Sequence, residues 1–254
     1  MYHLTSLCLS FIIIQWALTA NLHPRVYDGQ DLQSNVNQYL VELELYESRS
    51  QGASSYGCSG SILSKRWVIS AAHCFEGNIL HVTVQRNKIG PFRELIAEVD
   101  RSGVTVHPDY EQGLTTYKNL ENDLALLKTT KNMLFDDFTK PIRLARIRPQ
   151  VGQTVILAGY GNSDYGTSIP QMGTTLLTEC ELLNPELSES KLLCTYCTVR
   201  AGSGDSGGPL VSRGMLIGVI SAGCADEHIH QDCTTYYVDV TQHLDWIKKL
   251  THIP

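Results

Sequence analysis

The chain has 254 residues, 43% apolar and 18% charged, with 20 glycines and 9 prolines. That balance excludes a disordered or fibrous protein and suits one large domain or two small ones. Twenty basic residues against 26 acidic ones give a formal charge of −6, which argues against nucleic acid as a partner, because phosphate-binding proteins carry a net basic face.

The N-terminus opens with an apolar run from Leu4 to Ile14, broken only by Thr5, Ser6, Cys8 and Ser10. It is shorter than the roughly 20 apolar residues a helix needs to cross a bilayer. It leads into the small residues Ala17, Thr19 and Ala20, so residues 1–20 read as a secretory signal peptide, although only His3 and the amino terminus supply positive charge. No later segment is long and apolar enough to serve as a membrane anchor. Eight cysteines agree with an oxidising compartment. The expected product is a secreted, extracellular protein, and a monomer.

Further along, the pattern is that of strands. Tyr39–Tyr46 alternates apolar and polar residues, which puts Val41, Leu43 and Leu45 on one face. Similar short runs follow at Trp67–Ser70, His81–Val84, Leu95–Val99, Val104–Val106, Leu124–Leu127, Thr154–Ala158, Met215–Ile220 and Tyr236–Val240. Clusters of Gly, Pro, Asn and Asp separate them, which is the spacing of an all-β sandwich or barrel. Asp136–Pro149, with Pro141 and four basic residues, reads as the connector between two β halves. Only the end reads as a helix: Val240, Leu244 and Ile247 share a face, Thr241 is placed as a cap, and Lys248 and Lys249 sit near the negative end of the helix dipole.

Three stretches carry chemistry. In Gly204-Asp205-Ser206-Gly207-Gly208-Pro209, a serine lies in glycine-rich backbone that a substrate can approach closely, and the amides of Gly204 and Ser206 can converge on one developing oxyanion. In Ser70-Ala71-Ala72-His73-Cys74, a histidine ends an apolar strand. In Asn122-Asp123-Leu124-Ala125, an aspartate enters a buried strand, where its carboxylate must find partners. Taken alone, each has an ordinary structural reading as a turn, a core histidine or a capped strand.

Together, in the order His, Asp, Ser, and with Cys58-x-Gly-Ser, Trp67-Val-Ile-Ser-Ala-Ala-His-Cys74 and Trp246 in the final helix, they resemble the chymotrypsin/trypsin family of serine peptidases. The resemblance covers essentially everything after Arg25. It implies two packed six-stranded antiparallel β-barrels with a C-terminal α-helix, the first barrel at about 26–140 and the second at about 141–254. It implies a serine endopeptidase in which Ser206 is the nucleophile, His73 the general base and acid, and Asp123 the group that orients the imidazole. The Gly204 and Ser206 amides would form the oxyanion hole. Ser221 would support Asp123 and open the strand, through Gly223, on which substrate pairs. No cofactor is expected, nor a metal site, and His228 and His230 read as loop residues. Expected partners are protein or peptide substrates, a protease inhibitor and an activating protease.

The resemblance also implies a zymogen with the short propeptide 21–25. Cleavage after Arg25 would free the Val26 amine to pair with Asp205, and Asp28 stands where the family has a glycine. Of the disulfides, Cys58–Cys74 and Cys180–Cys194 follow the family. Gly202 replaces a usual cysteine, so Cys197 is left to bridge either Cys224 or Cys233. The specificity pocket departs further: Arg200 stands six before Ser206, where trypsin-like enzymes carry an acid, Thr235 replaces a glycine of the pocket wall, and Ala222 replaces a tryptophan. Arg200 pointing into the pocket would favour an acidic or polar residue before the scissile bond. Arg200 pointing into solvent would leave a short apolar pocket. The alternative to an active enzyme is a secreted binding protein on a peptidase scaffold.

Overall fold

The computed structural model describes residues 26, 28–33, 35–49, 52–89, 92–113, 117–161, 169–187, 190–197, 199–223 and 233–254. The signal peptide, Arg25, Cys224, His228 and His230 lie outside the described residues.

Strand β1 (Gln30–Asp31) is followed by β2 (Leu40–Arg49), β3 (Gly52–Ser64), β4 (Trp67–Ser70), β5 (Ile79–Ile89), β6 (Phe92–Asp100), β7 (Val104–Val106) and β8 (Ala125–Lys128). Strands β2 to β8 form one antiparallel sheet in the order β6-β5-β2-β3-β4-β8-β7. The alternation read in β2 is realised here, with Val41, Leu43 and Leu45 all fully buried. They face Val82, Val84, Leu126 and Leu127 in a common core. Strand β3 was not legible as a strand, since it reads Gly-Ala-Ser-Ser-Tyr-Gly-Cys-Ser-Gly-Ser with little β propensity. Its ladder with β2, in register from Leu40↔Ser61 to Arg49↔Gly52, makes it one.

The second sheet comprises β9 (Arg143–Leu144), β10 (Thr154–Gly159), β11 (Gln171–Thr178), β12 (Leu192–Cys197), β13 (Pro209–Ser212), β14 (Met215–Ala222) and β15 (Cys233–Asp239), with β1 at its edge. Its order is β11-β10-β13-β14-β15-β12, and a β11–β12 pairing closes these six strands into a barrel. The closed barrel leaves no free edge among those six strands. The first sheet runs to seven strands, and among the described residues no ladder joins its outer strands β6 and β7, so it wraps its core as a half-barrel. The connector Asp136–Pro149 is more than a tether, since β9 within it pairs parallel to β14.

The described residues also form three short α-helices: α1 (Tyr117–Leu120), α2 (Cys180–Leu183) and α3 (Leu244–Thr251). α3 carries Ile247 into the core of the first sheet, beside Val238 and Val240. One expectation fails here. Thr241 does not cap α3, because Val240–Gln242 is a separate 3-10 turn. The Asp239 carboxylate accepts from the Thr241 amide at 2.9 Å and from its hydroxyl at 2.7 Å, and α3 begins only after His243. Asp239 caps that 3-10 turn, and the Thr241 hydroxyl is used as a donor to it rather than as a cap of α3. Among the described residues no helix is long and apolar enough to cross a membrane.

Candidate active site

The chemistry-bearing residues are delivered by neighbouring strands. β4 and β8 are antiparallel partners with Ser70 opposite Ala125. His73 follows β4 in the 3-10 turn Ala72–Phe75, and Asp123 immediately precedes the Leu124 entry to β8. The ladder therefore brings two residues 50 positions apart into contact. The His73 amide donates to Asp123 Oδ1 at 2.8 Å, and His73 Nδ1 lies 2.7 Å from Asp123 Oδ2. Ser221, on β14 of the other sheet, donates its hydroxyl to the same Oδ2 at 2.5 Å. Asp123 is fully buried, so these three donors do the work that water cannot. With the aspartate accepting at Nδ1, the imidazole presents Nε2 as a proton acceptor.

Ser206 lies on the turn entering β13, between the two sheets. Its carbonyl accepts from the Ser59 amide at 2.8 Å, which ties the turn to β3. The disulfide Cys58–Cys74 (S–S 2.00 Å) links β3 in turn to the His73 turn. Two glycines make the turn possible. Gly204 has φ of +89° and Gly207 +81°, the left-handed region that side chains avoid. A Cβ on Gly207 would collide with the Ser59 carbonyl and Ser70 Oγ. The backbone of this turn is held by the first sheet.

Asp205 points the other way, into the second barrel, and is fully buried. Its carboxylate accepts from the Gly161 amide and the Gly202 amide, each at 2.9 Å. Val26 is also fully buried, packed with Leu157, Leu210 and Ile220. Asp28, in the position the sequence marked as unusual, has φ of +54°. An aspartate tolerates this region better than most residues but less well than the expected glycine.

Arg200 is 2% exposed, which overturns the solvent-facing alternative. It precedes Ala201, whose amide donates to Thr235 Oγ1 at 3.3 Å. Thr235 is fully buried on β15, opposite Thr195 of β12, and Thr195 Oγ1 lies 3.0 Å from the Tyr237 hydroxyl. Burial drives the Tyr237 phenol well above its ordinary pKa, so it stays neutral. A Cβ on Gly223 would sit 3.0 Å from the Ala201 carbonyl, so these two backbones approach closely. Cys180–Cys194 is formed (S–S 2.06 Å). Cys197 and Cys233 are both disulfide-bonded and stand directly opposite each other between β12 and β15.

Two features escaped the sequence. The buried Ser59 hydroxyl accepts from the Tyr160 amide at 2.8 Å and donates to the Gly204 carbonyl at 3.0 Å. As the variable residue of Cys58-x-Gly-Ser it gave no signal of this. The second feature is a histidine pair beside the Asp123 loop. The Asp109 amide donates to His107 Nδ1 at 3.3 Å, His107 Nε2 meets His243 Nδ1 at 3.3 Å, and His243 Nε2 donates to the Glu121 carbonyl at 2.9 Å. The chain is satisfied with both rings neutral. Burial, reinforced by the neighbouring His243, lowers the His107 pKa to about 4, and burial also lowers that of His243. Among the described residues no cluster of three or more metal-ligating side chains occurs.

The profile of the Trypsin family matches residues 26–247. Human "Serine protease 1" is 26% identical over 253 residues, spanning 95% of this chain and 96% of the relative. "Trypsin-3" of Salmo salar is 28% identical over 236 residues, covering 88% and 91%. The structure of neuropsin, a serine protease expressed in the limbic system of mouse brain, superposes with a TM-score of 0.66 at 22% identity. It covers 87% of this chain and 98% of its own, and so speaks to the fold. The chain belongs to the trypsin family and is a serine endopeptidase.

Proposed function

We propose that this endopeptidase is secreted, is made as a zymogen activated after Arg25, and hydrolyses peptide bonds through Ser206, His73 and Asp123. Ser206 Oγ attacks the scissile carbonyl carbon while His73 Nε2 takes its proton. The carbonyl oxygen becomes an oxyanion, received by the Gly204 and Ser206 amides. Collapse breaks the C–N bond, His73 returns the proton to the leaving amine, and water then hydrolyses the acyl-enzyme by the same steps. The observation that carries this reading is the shared oxygen of Asp123, which meets His73 Nδ1 at 2.7 Å and the Ser221 hydroxyl at 2.5 Å.

Arg200 is assigned to the base of the specificity pocket, its walls being Thr235 and Gly223. Its burial and the Ala201–Thr235 hydrogen bond support that assignment. A buried guanidinium selects an acidic or polar residue before the scissile bond by charge-assisted hydrogen bonding, and rejects lysine and arginine.

A fluorophosphonate probe should label the activated protein and leave Ser206→Ala unlabelled. A peptide-library profile should show acidic preference in the wild type and its loss in Arg200→Ala. Failure of the wild type to react would leave a binding protein on a peptidase scaffold, and efficient cleavage after lysine or arginine would reject the pocket assignment.

A further inference from the structure

A groove of about 690 Å³ opens where the connector between the sheets, the end of β3, the start of β14 and the C-terminal residues meet. Its floor is apolar, formed by Leu63, Phe135, Leu144 and Met215 among others. Ile147 on its margin is 84% exposed and continues the apolar floor outward. Exposed Lys65, Arg143 and Arg146 also line it, and no aspartate or glutamate does.

What sets these cations apart is that all three line one apolar groove, since Lys131, Arg213 and Lys249 also have no carboxylate at ion-pair distance among the described residues. Lys88, Arg93, Lys140 and Arg148 each hold a carboxylate within ion-pair distance. Among the described residues Lys65, Arg143 and Arg146 hold none. A chain of net charge −6 therefore carries a local region of opposite sign around an apolar trough. None of the lining residues belongs to the cleft around Ser206, so substrate binding there does not account for it.

We propose that this groove is a docking site for an acidic segment of a partner protein that also bears apolar side chains. The apolar side chains would fill the trough while aspartates or glutamates meet Lys65, Arg143 and Arg146. A second copy of the chain is the poorer occupant, because an isologous contact would set the same cations against one another.

The test uses a fluorescein-labelled synthetic peptide that alternates Asp and Glu with Leu and Phe, read by anisotropy against the full chain carrying Ser206→Ala. Binding should be saturable and should weaken with added salt. It should fall by more than about tenfold in the triple variant Lys65→Glu, Arg143→Glu, Arg146→Glu and also in Ile147→Asp. Thermal melting of each variant verifies that it is folded. Arg200→Ala should bind the peptide as the parent does, and parallel loss there would place the peptide in the cleft and overturn the proposal. Undiminished binding by the triple variant would overturn it too. So would equal affinity for polyglutamate with no response to Ile147→Asp, which would reduce the groove to bare charge. Sedimentation showing a dimer that Ile147→Asp dissociates would make the face a contact between copies and reject an acidic partner.

Discussion

Ser221 and His73, carried by different sheets, meet on one oxygen of Asp123, at 2.5 and 2.7 Å. The contacts hold the Asp123 carboxylate from two sides, since His73 follows β4 while Ser221 belongs to the closed barrel. Asp123→Asn should fold but lower kcat by on the order of 10⁴, the cost of holding the imidazole in the wrong tautomer. Ser221→Ala leaves the carboxylate charge in place and should lower kcat by about tenfold, in line with the loss of one charge-assisted hydrogen bond. Steady-state kinetics on both variants, with circular dichroism as the control for folding, decide the point. A larger loss from Ser221→Ala than from Asp123→Asn would contradict it.

Ser59 holds the turn that presents the Gly204 amide. Ser59→Ala removes a donor to the Gly204 carbonyl and strands the Tyr160 amide, so the oxyanion donor should lose its alignment. We expect kcat to fall by about tenfold with little change in KM, less than the loss of an oxyanion donor itself. Ser59→Thr, which keeps the hydroxyl, should recover most of it. The distinguishing measurement is inhibition by a peptide aldehyde, which forms a tetrahedral oxyanion. Its affinity should drop in proportion to kcat/KM, whereas simple loss of stability would leave the folded fraction's affinity intact.

Activation is tested by Arg25→Gln. The uncleaved protein should be folded and nearly inactive, because Val26 would have no free amine to offer Asp205. Mass spectrometry of the N-terminus accompanies the assay. Full activity from an intact chain would show that activation takes another route.

The His107–His243 pair predicts a pH dependence of stability. Native His107 resists protonation until about pH 4, while the unfolded residue titrates near 6.5. Between those values the unfolded state binds more protons, so stability is fully present above about pH 6.5 and is lost as pH falls toward 4. Buried His243 adds in the same direction. Urea unfolding midpoints followed from neutral pH to about pH 4.5 should fall, and His107→Gln should reduce the slope by about one proton. The neighbours that face the pair are Asp109, the Glu121 carbonyl and Trp246. An unchanged slope in the variant would assign the acid sensitivity to other groups.

Read alone, the sequence determined the fold class and family, and through that resemblance it nominated the residues proposed to react. The alternation in β2 carries its own face assignment, because a period of two buries one side, whereas the continuous apolar runs of β4, β8 and β14 are buried on both faces. The Gly-Asp-Ser-Gly-Gly turn and the His73 and Asp123 stretches were legible because short-range backbone demands leave few residue choices there. What the tertiary structure decided was everything that depends on residues far apart in the chain. Strand β3 is a strand only because β2 and β4 offer it ladders on both sides. The Thr241 cap failed because its hydroxyl donates to Asp239, at the end of β15, and α3 begins only after His243. Arg200 was ambiguous in one dimension, and only the packing of β12 against β15 showed it buried. Ser59 and the His107–His243 pair gave no local pattern at all, since their partners lie 101 to 145 residues away. Local sequence encodes conformational preference, while a hydrogen bond between distant segments exists only once folding has removed the water that would otherwise satisfy both groups.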